Sequence, residues 1–305
     1  MLRVLTLSLA FLIFMSCSED TNNVIEIIGN AKYLSGLTLD SINSDLKIDT
    51  IVFSNQFVNG GSSFATLSSS QNSDSISINI GVKNHKGFYN IRGKLNGSGK
   101  IPIIIDFKED APESLTLQIN LENELGQGEI KELVYNRINS KTNGIQINLS
   151  WDKANDLDLH LITPTGKQIY YKYPGYVYKE NTKGSLDKLK KKYGSAIPIE
   201  EKISLIVLDS LGIMLDVDSN PSCDIDGINS ENIIIDNIET VQKGTYTIIT
   251  NLYDQCLNDD YTTNFAVFAK YKGRFIETKK GRNPYIGYKT GIKSDFQEVI
   301  QFEIK

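Results

Sequence analysis

Apolar residues recur at every second position along much of this chain, and that pattern narrows the fold more than any other feature. Ile76, Ile78, Ile80 and Val82 alternate with polar residues in SISINIGV, as do Leu115, Leu117, Ile119 and Leu121 in SLTLQINL. IQINLS (Ile145, Ile147, Leu149) and VIQFEI (Ile300, Phe302, Ile304) repeat the pattern. A period of two is that of a strand with one buried face. Turn-forming stretches separate the runs: NGG at 59–61, NGSGK at 96–100, ENELGQG at 122–128 and PTG at 164–166. Heptads and long helix-period runs are absent. The expectation is an all-β protein built of two β-sandwich domains.

The polar run NRINSKTN at 136–143 reads as the linker. Residues 24–135 then form a first, immunoglobulin-like domain, and residues 144–305 a second sandwich. Within the second, residues 174–212 break the strand pattern as a partly helical insertion. Pro198 followed by Glu200 and Glu201 suits a helix start, Ile199, Ile203 and Ile206 share one face, and Gly212 suits its end. The same ISLIVL run is equally compatible with a strand. Lys188, Lys190, Lys191 and Lys192 are expected on a solvated face, or against lipid headgroups or an acidic glycan.

A chain of 305 residues, 40% hydrophobic and 23% charged, can bury real cores. Its net charge of -5 offers no electrostatic footing for nucleic acid. Val4 to Met15 is an apolar stretch of leader length behind Arg3, too short to span a bilayer comfortably. Ser16 and Cys17 follow, and the arrangement resembles a bacterial lipoprotein signal, which implies cleavage after residue 16 and a lipid on Cys17. An ordinary secretory leader is the alternative. Residues 17–23 would be a tether, and its Ser18, Glu19 and Asp20 resemble the surface-export tag of some lipoproteins. The implied address is the outer membrane, periplasmic or surface-exposed. With Cys17 lipidated, Cys223 and Cys256 are the two cysteines left in an oxidising compartment. A Cys223–Cys256 disulfide is expected, worth roughly 3 kcal/mol in the chain-entropy picture; a pair of buried thiols is the alternative.

Candidate chemistry concentrates in two acidic stretches. In NDLDLHL, Leu157, Leu159 and Leu161 point to one side of a strand, and Asp156, Asp158 and His160 to the other. The two aspartates then stand about 7 Å apart on an outer face, where like charges call for a cation, a donor or water. The second stretch, LDVDSNPSCDIDGINSEN, holds Asp216, Asp218, Asn220, Asp224, Asp226, Asn229, Glu231 and Asn232. So many oxygens suit calcium rather than zinc. It is not an EF-hand: Pro221 takes the place of the required glycine and Gly227 that of the closing glutamate. Asp156, Asp158, Asp216, Asp218, Asp224 and Asp226 are therefore candidate calcium ligands converging at one end of the second sandwich. The competing account is a set of Asp/Asn turns that cap their own backbone.

These stretches are similar to the YfaP-like family of secreted bacterial proteins. The pattern runs through Trp151; Asp156 and Asp158; Pro164 and Gly166; Leu215, Asp216 and Asp218; Gly227, Glu231 and Asn232; and Gly244 and Tyr246. The resemblance covers about residues 144–270 and implies a compact extracytoplasmic β-sandwich. The 174–212 insertion and the two cysteines depart from it.

Tyr171, Tyr173, Tyr285 and Tyr288 could stack on sugars, or simply cover a sheet. An enzyme is a poor fit: the two histidines, His85 and His160, have no nucleophile motif beside them, and phosphate or dinucleotide loops are absent. Paired carboxylates acting on a glycoside are the residual catalytic reading. The sequence points instead to a non-catalytic binding module on a membrane-anchored lipoprotein, meeting a glycan or an envelope protein, with a purely structural envelope subunit as the alternative.

Overall fold

The computed structural model describes residues 24–40, 45–70, 73–95, 100–140, 144–172, 212–239, 241–256, 262–290 and 296–305. The leader, Cys17, the tether, Tyr173 and the 174–211 segment lie outside the described residues. Among those residues the regular structure is strand, apart from one three-residue 3-10 turn at Pro221–Cys223.

The N-terminal strands are β1 (Ile25–Ile28), β2 (Ala31–Leu34), β3 (Thr50–Phe53), β4 (Gln56–Val58), β5 (Ser62–Ser68), β6 (Ser73–Val82), β7 (Phe88–Leu95), β8 (Lys100–Phe107), β9 (Ser114–Asn123), β10 (Gly126–Gln127) and β11 (Lys131–Ile138). They form a four-stranded sheet, β1-β8-β5-β3, and a seven-stranded one, β2-β7-β6-β9-β11-β4 with β10 on β9. The C-terminal strands are β12 (Ile145–Trp151), β13 (Asp156–Ile162), β14 (Gln168–Ile169), β15 (Ile213–Val217), β16 (Ser230–Ile235), β17 (Gly244–Asp254), β18 (Thr262–Tyr271), β19 (Arg274–Phe275), β20 (Thr278–Gly281), β21 (Tyr285–Thr290) and β22 (Gln297–Ile304). They form a six-stranded sheet, β15-β16-β12-β18-β19 with β21 also on β18, and a five-stranded one, β14-β13-β17-β22-β20. Pairing is antiparallel except between β4 and β11.

The alternating residues fill two cores. Ile76, Ile78, Ile80, Leu117 and Ile119 meet Leu67, Ile103, Ile105 and Phe107 between the N-terminal sheets. Ile145, Ile147, Leu149 and Trp151 meet Leu157, Leu159, Leu161, Ile248 and Phe302 between the C-terminal ones. A third, smaller cluster of Phe64, Ile104, Ala266 and Phe268 joins the four-stranded sheet to the six-stranded sheet. The four sheets thus stack as layers in the order seven, four, six, five.

The contact between the two middle layers is mostly polar. Asn148 Oδ1 accepts from Ser62 N–H (2.9 Å) and its Oγ–H (3.1 Å), and Asn148 Nδ2 donates to Ser230 Oγ (2.9 Å). Thr66 Oγ1 donates to Asp152 Oδ2 (2.9 Å), and Gln146 Nε2 donates to Asn59 O and Asn232 Oδ1, both at 3.1 Å. Lys270 Nζ, buried, pairs with Asp106 and donates to Gly60 O at 3.0 Å. The NGG turn makes this approach possible. Gly60 has φ +72°, and a Cβ there would come within 2.7 Å of Gln146 Oε1.

Removing one partner of a buried ion pair strands the other charge away from water. Lys270→Met is therefore expected to destabilise the protein by about 3–5 kcal/mol, and adding Asp106→Leu to restore most of that loss. Denaturant unfolding of the wild type and both variants checks this. Equal stability of the two variants would show that the Asp106 charge carries no penalty.

Candidate functional site

The alternation in β13 works as expected on its leucine side and differently on the other. Asp156, Asp158 and His160 share a face, but that face is covered, and all three are buried. Tyr170 stacks on His160 with ring centroids 5.0 Å apart, and Phe296 meets the same ring edge-on at 5.1 Å. Tyr171 packs edge-on against both Tyr170 and Tyr253. The segment after β15 then folds back over the start of β13. The N–H of Ser222 donates to Asp156 Oδ2 at 2.7 Å. The Cys223–Cys256 disulfide ties this segment to the chain just past β17. An outer face exposed to water is thus corrected to a roofed one: aromatic side chains and a cross-linked loop cover it.

A polar relay runs under the roof. Gln168 Nε2 donates to His160 Nδ1 (2.7 Å), His160 Nε2 donates to Asn251 Oδ1 (2.6 Å), and Asn251 Nδ2 donates to Asp158 Oδ2 (3.1 Å). Burial lowers the His160 value to about 4, so the ring is neutral and both nitrogens are occupied. Burial, then the charge of Asp156, raises Asp158 to about 7. Burial raises Asp156 to about 6, opposed by the Ser222 N–H, with Asp218 and Asp254 adding to the rise. Burial raises Asp218 as well. Asp156, Asp158 and Asp218 line one cavity of about 30 Å³, together with Tyr171, Pro221, Ser222 and Tyr253.

Glu231 is the residue that sequence reasoning left out of the candidate ligand set. It lies on β16, fully buried, and its Oε2 accepts the backbone N–H of Leu159 across the gap between sheets. Its Oε1 is buried with no hydrogen-bond partner. Burial, reinforced by Asp158 and Asp218, raises it well above the ordinary glutamate range. A signal was available: Glu231 occupies the same alternating phase as Ile233 and Ile235, so it had to point at the core.

The other predicted ligands do not join this cluster. Asp216 turns to the polar layer, where it accepts from Ser140 Oγ (2.6 Å) and Asn232 Nδ2 (2.7 Å). Asp226 organises its own loop, accepting from Ser219 Oγ, Asn220 N–H and Ile228 N–H. Asp224 is exposed in the same loop. The convergence expected of six aspartates is thus met by three. Tyr171 sits at the cavity, whereas Tyr285 and Tyr288 lie on β21, which pairs with β18 near the opposite edge of the six-stranded sheet from β15. Tyr285 packs on Phe265, and Tyr288 is exposed. Among the described residues, no group of three or more His, Cys, Asp or Glu side chains is placed so that it could hold a metal ion.

No protein-family model and no curated protein matches the chain. Among solved structures it is similar to the crystal structure of the chicken CNTN1 FN1-FN3 domains, at 9% identity and a TM-score of 0.22. The match covers 81% of this chain and 65% of that one. The architecture given above rests on the sheets themselves.

The carboxyls give the protein an unusual pH response. A carboxyl held above its ordinary value binds its proton more tightly when folded, so its contribution to stability is full below about 3.8 and is lost as pH rises through the folded value. For Asp158 that loss runs through about pH 7 and is complete near pH 8. His160 acts in the opposite sense: its contribution is full above 6.5 and is lost as pH falls towards 4. Between pH 8 and 6.5 the carboxyls act alone. In chelator, acidification over that window is expected to raise the Tm, by stabilisation on the order of 1–3 kcal/mol. Asp158→Asn should flatten the rise, and His160→Gln should let it continue below pH 6.5. A wild-type Tm that falls from pH 8 to 6.5 would contradict this electrostatic picture.

Proposed function

We propose that this chain is a cell-envelope lipoprotein whose C-terminal sandwich is a non-catalytic, calcium-stabilised binding module for a glycan or a protein partner. In this reading residues 1–16 are a signal peptide and Cys17 carries the lipid that anchors the protein to the outer membrane. Residues 24–135 are an immunoglobulin-like presentation domain, and residues 144–305 a YfaP-like sandwich with a partly helical insertion at 174–212.

The observation that carries the reading is the convergence of Asp156, Asp158 and Asp218 on one small cavity beside the aromatic pair Tyr171 and Tyr253. Three carboxyls drawn from two separate acidic stretches, each with its ionised form disfavoured, suit a hard cation with oxygen ligands. The aromatic rim suits a sugar face or an apolar side chain. Non-catalytic binding is further supported by His160. Both its nitrogens are engaged and it lies under Tyr170, so it offers no open position for proton transfer to a substrate.

Thermal unfolding of the mature chain carrying Cys17→Ser, in chelator and in calcium, tests this. Calcium at one hundred times its Kd should add about 2.7 kcal/mol. Asp158→Asn should abolish the gain and Asp224→Asn should leave it intact. A glycan array with and without calcium then reports the partner. Identical unfolding in chelator and millimolar calcium would overturn calcium stabilisation and favour a purely structural envelope subunit.

A further inference from the structure

Glu231 stands in a place where a glutamate is costly. The phase of β16 aims it between the two C-terminal sheets, alongside Ile233 and Ile235, and an ionised carboxylate there needs compensation. One oxygen has it. Oε2 accepts the N–H of Leu159, at a point on β13 beyond the reach of β14, which pairs only with Leu161 and Ile162. The other, Oε1, meets no N–H or hydroxyl donor, and the side chain within hydrogen-bonding reach of Glu231 is another carboxyl, that of Asp218. The charges that act on it come from Asp158 and Asp218, both of its own sign.

We propose that Glu231 Oε1 is a direct ligand of a hard divalent cation shared with Asp158 and Asp218, and that this cation ties the two C-terminal sheets together at their open edge. The proposal rests on the calcium reading above and adds to it the ligand that comes from the six-stranded sheet. Asp158 belongs to the five-stranded sheet, Glu231 to the six-stranded sheet, and Asp218 to the segment that leaves β15. One ion held by all three therefore bridges the five-stranded and six-stranded sheets, which no strand pairing joins, because β15 and β16 already pair within the second.

Protons can neutralise this cluster at low pH, one of them shared between Glu231 and Asp218, but above neutral pH the carboxyls ionise against one another. A divalent cation meets all three at once. The donor set contains oxygen alone, since His160 is committed to Gln168 and Asn251, and this selects calcium-like ions over zinc or copper. Asp158 and Asp218 line a cavity of about 30 Å³, room for one ion or water and not an organic ligand; Glu231 is outside that lining and is coupled to it through Asp158 and Asp218. Asp218 is exposed, follows the end of β15 and already lies within hydrogen-bonding reach of Glu231, so it is the ligand that joins the buried carboxyl to solvent.

The test uses the mature chain with calcium, and with terbium as a luminescent substitute excited through the tyrosines at the cavity, Tyr171 and Tyr253. Wild type should show sensitised terbium emission that calcium displaces. Glu231→Gln keeps the size of the side chain and its acceptor for Leu159 but removes the charge. It should raise the Tm in chelator and weaken calcium binding by at least about tenfold, the lower end of what even outer-sphere metal partners contribute. If calcium binds Glu231→Gln as tightly as wild type, the Glu231 ligand is wrong while the calcium reading stands. If wild type shows neither calcium stabilisation nor terbium emission, both fall. Should Glu231→Gln fail to fold, Asp218→Asn at the exposed rim carries the test. An unchanged calcium affinity in that variant overturns the shared ion.

Discussion

The structure depends on a strand buried on both faces. β12 sends Ile145, Ile147, Leu149 and Trp151 into the C-terminal core, and Gln146, Asn148 and Ser150, followed by Asp152, into the layer facing the N-terminal sheets. The polar residues meet no bulk water, so each must find a partner or leave a stranded group. They find them in Ser62, Thr66, Asn59, Ser230, Asn232 and Asn264. Such contacts are directional, and they fix how one pair of sheets sits on the other more tightly than an apolar contact of equal area. The buried Lys270–Asp106 pair is expected to act the same way, because an arrangement that separated the two would strand a charge away from water.

That constraint reaches the candidate site through one strand. β16 pairs with β12 with Asn232 opposite Asn148 and Glu231 opposite Leu149. Ser230 and Asn232 must face the polar layer to serve Asn148 and Gln146. Glu231 then has to face the core, because a one-residue slip would send Ser230, Asn232 and Ile234 there instead. The burial of the Glu231 carboxyl follows from the polar layer rather than from any local preference. The loop above it is equally specified. Trp151 Nε1 donates to Asn155 O, Asn220 Nδ2 donates to the same carbonyl, and Asn220 exchanges further bonds with Asp226. Asn220, Ser222 and Cys223 all adopt positive φ, a conformation that side-chain-bearing residues take at a cost and keep only when the surroundings dictate it.

How much of this was legible follows from what alternation encodes. It marks strands and their apolar faces, so β6, β9, β12 and β22 could be read directly, and the scarcity of helix signals gave the all-β class. It does not say what covers the polar face. Gln146, Asn148 and Ser150 look like a solvated face until a second sheet is placed against them, and the same holds for Asp156, Asp158 and His160. The pairing of Cys223 with Cys256 was readable because the lipoprotein resemblance assigned the third cysteine elsewhere. Asp216 and Asp218 were not separable by sequence. Two residues apart, they should share a face, but the register between β15 and β16 shifts between Leu215 and Val217. That irregularity sends Asp216 to the polar layer and leaves Asp218 at the cavity.

The same parity argument couples the polar layer to the edge of the C-terminal sandwich. Asn232 and Glu231 are consecutive, one committed to Ser140, Asp216 and Gln146, the other to Leu159. Asp216 and Asp218 repeat the division on β15 and its continuation. Whatever draws Asp218 and Glu231 together therefore pulls on two segments whose neighbouring residues hold the N-terminal sheets in place. The layer in turn holds those segments still, so the oxygens at the edge are positioned by contacts formed between the two middle sheets. Carboxyls supported in this way are pre-organised by the whole stack, and the N-terminal sheets are part of what positions them.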